Sequence, residues 1–304
     1  MGATDKLVAG IELGGTKGIA LVARGTEILE MARVPTAAPD ETLARLGDVI
    51  AGWRAQHGQP AALGIASFGP VGLDRSRDDY GHITRTPKPG WSNSDVAGYF
   101  ARRLGLPIAF DTDVNGAALA EYRWGAARGC DVAIYITIGT GVGGGLVVAG
   151  VPVHGLIHPE IGHFRVRRTG RSSFSGICPF HGDCVEGLIS GPALAARTGI
   201  AGERIPADHP VWDEVASELG EAMATLLAVV SPQRIMIGGG VFQNRSDVLA
   251  TVRRRTAAIL RGYPAGVDET RLEAIIVPPG LGDRAGPLGA VALAYSILKS
   301  GGIT

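Results

Sequence analysis

Covalent cross-links are the first thing the sequence lacks. Three cysteines in 304 residues are too few for a disulfide framework. An excess of charge is lacking too: Lys+Arg and Asp+Glu number 29 each, which argues against a broad electrostatic grip on nucleic acid or an anionic membrane. No apolar run reaches the length of a membrane span. The opening MGATDK has no hydrophobic signal core, and its sixth residue is not the Ser or Thr that N-myristoylation requires. A cytoplasmic protein with no nucleic-acid or membrane partner is expected. Glycine, by contrast, is plentiful. Its 46 residues cluster in a few stretches, and such clusters let backbone approach another group closely.

The length suits one large domain or two medium ones. KLVAGIEL reads as a buried strand and GIALVARG as a second after a tight Gly-Gly turn. EILEMARV alternates and suits a third strand. Helical spacing follows from Asp40, a candidate N-cap, to Trp53. Next come the buried strand AALGIASF and a polar loop from Asp74 to Trp91, long enough to suggest a function. A helix (Asp95 to Leu104), a strand (Pro107 to Asp111) and a helix (Val114 to Trp124) complete the first half.

The pattern then restarts with DVAIYITIGTGVGGGLVVAG, again strand, glycine turn, strand. An irregular segment from Pro152 to Gly191 precedes a long amphipathic helix from Val211 to Val230, suited to the core or to a dimer interface. RIMIGGGV reads as a strand and glycine turn, followed by a helix (Asp247 to Leu260), the strand LEAIIV and a closing helix from Pro287 to Leu298. Two halves of this kind predict an α/β protein of two lobes with a central cleft. The expected division is a small lobe over 1–112 and a large lobe over 113–286 with an irregular loop at about 152–191. A last helix, about 287–304, is expected to pack back on the small lobe.

Three glycine turns stand out: Gly14, Gly15, Thr16 and Lys17 in ELGGTKG; Gly139, Thr140 and Gly141 in TIGTGVGGG; Gly238, Gly239 and Gly240 in IGGGV. Backbone N–H groups at such turns face anions, and Lys17 adds charge. None fits the P-loop pattern, and no dinucleotide fingerprint opens the chain. Taken together, they suggest a nucleotide whose phosphates lie between two lobes. In FDTDVNGAALAE, Asp113 at a strand-to-helix junction is either an N-cap or a general base facing the cleft. Trp91 suits stacking on a sugar ring or ordinary packing. Cys130 reads as a core residue.

HPEIGHFRV and CPFHGDCVEG bring His163, Cys178, His181 and Cys184 into one stretch. Two Cys and two His suit tetrahedral zinc, and four protein ligands make it structural. The alternatives are a disulfide or an inert thiol pair, which a reducing cytosol and nearby histidines disfavour. By spacing alone His154 and His158 are substitutes for His163. No ββα unit or basic helix accompanies the ligands, so this is not a DNA-reading finger.

These motifs, with ASFGPVG, resemble nearly end to end the ROK family of bacterial sugar kinases, within the actin-like, ribonuclease-H-like ATPases. YGHITRTPKPGW, DTDVNGAA and CPFHGDCVEG make the chain most similar to the family's zinc-containing fructokinases. The resemblance implies ATP-dependent, Mg²⁺-requiring phosphorylation of a hexose 6-hydroxyl, D-fructose above all, with Zn²⁺ in the loop; a homodimer is the expected assembly. It implies Asp113 as catalytic base. Glu160, His163, Glu186, Thr112 and Gly69 fall at sugar positions, His163 doubling as a metal ligand. The first two glycine turns fall at the phosphates and the third at the adenosine side. Two positions depart from the common pattern: Thr112, where many relatives have Asn, and Glu12, where many have Asp.

Within enzymes the alternative is a kinase for glucose, mannose or an N-acetylhexosamine. A sugar-sensing regulator of the same family needs an N-terminal helix-turn-helix, and the first glycine turn lies too near the start to leave room for one. A chaperone or filament ATPase needs subdomains for which there is no place.

Overall fold

A computed structural model of the chain describes residues 6–168, 173–243 and 245–300. The chain divides into two compact units: Met1–Trp124 with Pro152–His158 and Asp283–Thr304, and Gly125–Val151 with Pro159–Gly282. Among the described residues no helix is long and apolar enough to cross a membrane.

The first unit opens with β1 (Val8–Leu13), β2 (Lys17–Arg24) and β3 (Glu27–Pro35), followed by α1 (Pro39–His57) and β4 (Leu63–Ser67). A two-stranded ribbon of β5 (His82–Ile83) and β6 (Ser94–Asp95) leads into α2 (Val96–Leu104), β7 (Ile108–Thr112) and α3 (Asp113–Trp124). The sheet order is β3-β2-β1-β4-β7. β1 and β2 pair antiparallel across the glycine turn, whereas β4 lies parallel to both β1 and β7. Every residue of β4 is buried, as expected of a parallel strand covered on both faces. The first helix begins one residue before Asp40. Ala38 takes the N-cap position, and the Thr42 hydroxyl accepts the Ala37 N–H instead.

The second unit repeats the plan with β8 (Val132–Ile138), β9 (Val142–Val148) and β10 (Val151–Pro152). The short α4 (Val185–Ile189) and α5 (Gly191–Thr198) precede α6 (Val211–Val230), β11 (Arg234–Gly238), α7 (Ser246–Leu260), α8 (Glu269–Ile275) and β12 (Ile276–Val277). Its sheet order is β10-β9-β8-β11-β12. Val211, Val215, Leu219 and Leu226 on α6 are buried, so that helix's apolar face belongs to the core of the unit. LEAIIV is not a strand over its length. Asp268 accepts the Arg271 N–H and starts a helix that buries Leu272 and Ile275, leaving two residues for the sheet edge.

The last helix, α9 (Ala285–Ser300), is part of the first unit and packs on β1, β4 and α3. The approach is backbone to backbone: a Cβ on Gly64 would lie 1.9 Å from the Ala290 carbonyl oxygen, and one on Gly289 would lie 2.6 Å from Gly116. α3 packs along α9, and the first compact unit runs to Trp124.

Candidate functional site

In the first unit, chemistry gathers where β7 ends and α3 begins. Asp111 is buried. Its Oδ1 accepts the Thr112 N–H at 2.7 Å and Asn115 Nδ2 at 2.8 Å, and its Oδ2 lies 2.9 Å from His154 Nε2. Thr112 supplies the helix cap, its Oγ1 accepting the Asn115 N–H at 3.1 Å. Asp113 is therefore the first helical residue rather than the cap. One of its oxygens accepts the Val114 N–H at 2.9 Å, and the other has no partner among the described residues. Its surface is partly reachable by solvent, yet neighbouring groups crowd it. Burial pushes its carboxyl up to about 6, against the pull of backbone N–H groups.

Glu12, on β1, is the other perturbed carboxylate. Its Oε2 is buried with no hydrogen-bond partner. Burial and then the charge of Asp113 push it up to about 7, while Lys17 and Arg33 pull the other way. The first glycine turn follows directly, with Gly15, Thr16 and Lys17 exposed. Gly69 sits in the turn after β4, bordered by the ring of His158, whose Nε2 accepts the Val71 N–H at 3.2 Å. Trp91 is fully buried, its Nε1 donates to the Ala37 carbonyl, and its ring meets Phe68 edge-on. No face is left to stack on a sugar.

In the second unit, the Gly139–Gly141 turn is closed by Gly139 N–H donating to Gly141 O at 2.9 Å, while Gly139 O accepts the Gly191 N–H at 2.7 Å. Glu186 reaches this turn from α4, its Oε2 accepting the Val142 N–H at 3.0 Å. In the third turn, packing explains two of the glycines. A Cβ on Gly238 would crowd Pro279 at 2.7 Å, and one on Gly239, at φ +94°, would strike the Ile138 carbonyl at 2.4 Å. Gly240 has no such clash.

The four metal-type side chains come together. Donor atoms of His163, Cys178, His181 and Cys184 all lie within 4.8 Å of one another. His163 Nδ1 is 3.8 Å from Cys178 Sγ and 3.6 Å from Cys184 Sγ, and His181 Nδ1 is 3.7 Å from Cys178 Sγ. The local folding is economical: Cys178 and Gly182 exchange backbone hydrogen bonds around His181, and Cys184 caps α4. Both cysteines are buried and unpaired, as is Cys130. Burial pushes the Cys184 thiol up, to about 11, so without a cation this corner carries a protonated thiol. The opposite edge of the His163 ring faces two carboxylates: Nε2 lies 3.9 Å from Glu160 and 4.0 Å from Glu186. His154 and His158, the substitutes by spacing, are committed elsewhere, to Asp111 and to the Val71 amide.

A model described as the ROK family matches residues 8–297. The chain belongs to the ROK family. It is 47% identical over 298 residues to a fructokinase of Zymomonas mobilis, covering 96% of this chain and 98% of that protein. Among solved structures, the ROK hexokinase of Thermus thermophilus matches with a TM-score of 0.80 and 27% identity, over 97% of this chain and 99% of the other. The ROK glucokinase of Streptomyces griseus, solved with glucose and AMPPNP, matches with a TM-score of 0.73 and 29% identity, over 95% and 99%.

Sequence reasoning did not reach the Asp111–His154 pair, the Asn115 amide or Lys88, whose ammonium meets the Gly15 carbonyl. The one signal available was that Asp111 and Asn115 lie close together across the strand-to-helix junction. His154 and Lys88 arrive from distant segments and left none.

Proposed function

We propose that this ROK protein is an ATP-dependent hexokinase-type enzyme that phosphorylates the 6-hydroxyl of D-fructose. The observation that carries the reading is the Asp113 carboxylate. It stands at the C-terminal end of a buried parallel strand, Thr112 has taken over the capping, and one oxygen is uncommitted. A carboxyl raised to about 6 is still ionised near neutrality but more basic than an ordinary aspartate. The sugar oxygen attacks the γ-phosphorus, the bond to the β,γ-bridging oxygen breaks, and ADP leaves with that electron pair. The hydroxyl proton passes to Asp113. Phosphoryl transfer needs little else beyond positioning and charge stabilisation. The amides of Gly14–Lys17 and Gly139–Gly141 serve the phosphates, and the Gly238–Gly240 turn serves the adenosine side through Gly240.

Glu160, His163 and Glu186 are assigned to the sugar, together with Thr112 and Gly69. Fructose as the preferred hexose is supported by the 47% identity to the Zymomonas enzyme over nearly the whole chain. A neutral chain with unpaired cysteines suits the cytoplasm.

Two metals fit. Glu12, with its orphaned buried oxygen beside the Asp113 charge, is the group that would hold Mg²⁺, which when bound neutralises the polyphosphate. Zinc bonds of about 2.3 Å to sulfur and about 2.0 Å to nitrogen put tetrahedral ligand atoms roughly 3.6 Å apart. The nitrogen–sulfur separations of 3.6, 3.7 and 3.8 Å match that spacing. With zinc bound, His163 would hold it by Nδ1 while Nε2 faces Glu160 and Glu186, so the cluster would orient those two carboxylates.

The test is a coupled ADP-release assay over fructose, glucose, mannose, N-acetylglucosamine and N-acetylmannosamine. Fructose should give the highest kcat/KM. A tenfold advantage for any other sugar, about 1.4 kcal/mol of transition-state preference, overturns the assignment.

A further inference from the structure

We infer that Lys88 and Thr36 are positioning residues that aim the first glycine turn at the nucleotide's phosphates, an inference that rests on the kinase reading above. The turn needs aiming. Gly15 and Thr16 are exposed, and a Cβ on Gly15 would meet nothing within 4 Å, so packing does not hold these peptide planes. Glycine peptides reorient at little steric cost.

A set of donors on the carbonyl side holds them instead. Gly14 O accepts the Thr36 hydroxyl at 2.8 Å, and Thr16 O accepts the Thr36 N–H at 3.0 Å. Lys17 O accepts the Gly14 N–H at 3.0 Å, and Gly15 O accepts the Lys88 ammonium at 2.6 Å. Every carbonyl of the turn is thus occupied. In a trans peptide the C=O and the following N–H point to opposite sides. Tying down the carbonyls of Gly14 and Gly15 therefore turns the amides of Gly15 and Thr16 the other way, and neither amide has an acceptor among the described residues. Two adjacent unpaired amides form an anion-binding concavity.

Lys88 is itself held in place. Prolines on both sides restrict its backbone. Its N–H donates to Thr86 Oγ1, and its carbonyl accepts the Trp91 N–H at 3.3 Å. Trp91, buried and bonded to Ala37, plugs the loop into the core beside Thr36. The same stretch of chain that follows β3 therefore anchors both halves of the clamp. Fixing the amides before the nucleotide arrives removes part of the ordering cost of binding.

The test compares Lys88→Met, Lys88→Arg, Thr36→Val and Thr36→Ser with the wild type, by calorimetric titration of AMPPNP and AMP and by steady-state kinetics with fructose. Lys88→Met and Thr36→Val should each weaken AMPPNP about tenfold or more, as expected when hydrogen bonds to a charged group lose their aim. AMP should bind as before, and the fructose KM should stay within about twofold. Lys88→Arg and Thr36→Ser keep a donor and should recover most of the loss. Unchanged AMPPNP affinity in folded Lys88→Met overturns the inference. So does a parallel loss of AMPPNP, AMP and fructose, or an arginine variant no better than the methionine one. A wild type that phosphorylates no hexose overturns the kinase reading, while the AMPPNP–AMP contrast still judges the clamp.

Discussion

Replacing Asp113 by asparagine separates catalysis from stability with opposite signs. The substitution keeps the size of the side chain and an oxygen to accept the Val114 N–H, and the helix cap is untouched because Thr112 supplies it. What disappears is a negative charge in a crowded, poorly solvated position. In the unfolded chain that carboxyl titrates near 3.8, and burial raises it to about 6. Below 3.8 the group is protonated in both states and costs nothing. As pH rises through that window the folded state bears a growing penalty, which levels off above about 6 at an upper limit of about 3 kcal/mol. At pH 7, Asp113→Asn should therefore be the more stable protein, with a melting temperature higher by a few degrees. Its advantage should shrink as the medium is acidified. Turnover should fall by about 10² to 10⁴, the usual worth of a general base. The wild-type kcat/KM should itself rise with pH through about 6 as the base deprotonates. Calorimetry at two pH values and a coupled kinase assay suffice. A folded Asp113→Asn protein with near-normal turnover, or one less stable than the wild type at pH 7, refutes the argument.

Purified protein should hold one zinc per chain by elemental analysis. Cys184→Ser should lose it and raise the sugar KM about 10- to 100-fold, as loss of an orienting partner does; full zinc occupancy in the variant would count against the cluster. Gly141 has no left-handed backbone, but a Cβ there would lie 2.7 Å from Glu186 Oε2. Gly141→Val should thus displace Glu186 and raise the fructose KM and the AMPPNP Kd together, each by about tenfold, whereas loss of nucleotide alone would contradict that coupling. The hydrogen bond to Asp111 raises the His154 imidazole above its ordinary 6.5. The stability it adds is present below 6.5 and lost as pH climbs through the raised value, so the melting-temperature gap to His154→Ala should narrow in alkali, and a gap independent of pH would exclude the ion pair.

The sequence exposed the glycine hairpins because glycine, though common in the chain, clusters at a few turns, and the Cys/His stretch because those residue types are rare and close together. Cys178, His181 and Cys184 lie within seven residues, and His163 could be guessed from nearby histidines. Choosing it over His154 and His158 needed three dimensions, since those two are occupied by Asp111 and the Val71 amide. Asp113 was legible as a special residue but not as uncapped, because Thr112 and Asp113 are both good capping types and only the hydrogen bonds tell them apart. LEAIIV misled by its run of apolar residues. The helical signal was in DETRLEAI, where Asp268 caps and Leu272 and Ile275 repeat at helical spacing. Trp91 shows the limit on the other side: an aromatic in a polar loop carried no sign that it was buried completely.

The contact of α9 with β1 and β4 has a consequence for how the protein is made. β1 and β4 emerge early in synthesis, yet the helix that covers Gly10 and Gly64 begins only at Ala285. At about 5–20 residues per second, a ribosome leaves that face of the first sheet bare for on the order of ten seconds or more. Pro152–His158 also arrives after the chain has begun the second sheet. The first unit thus cannot mature by the common rule that the earlier part of a chain folds while the later part is still being translated. Slowing translation should not help it, and a chaperone that shields apolar strands should.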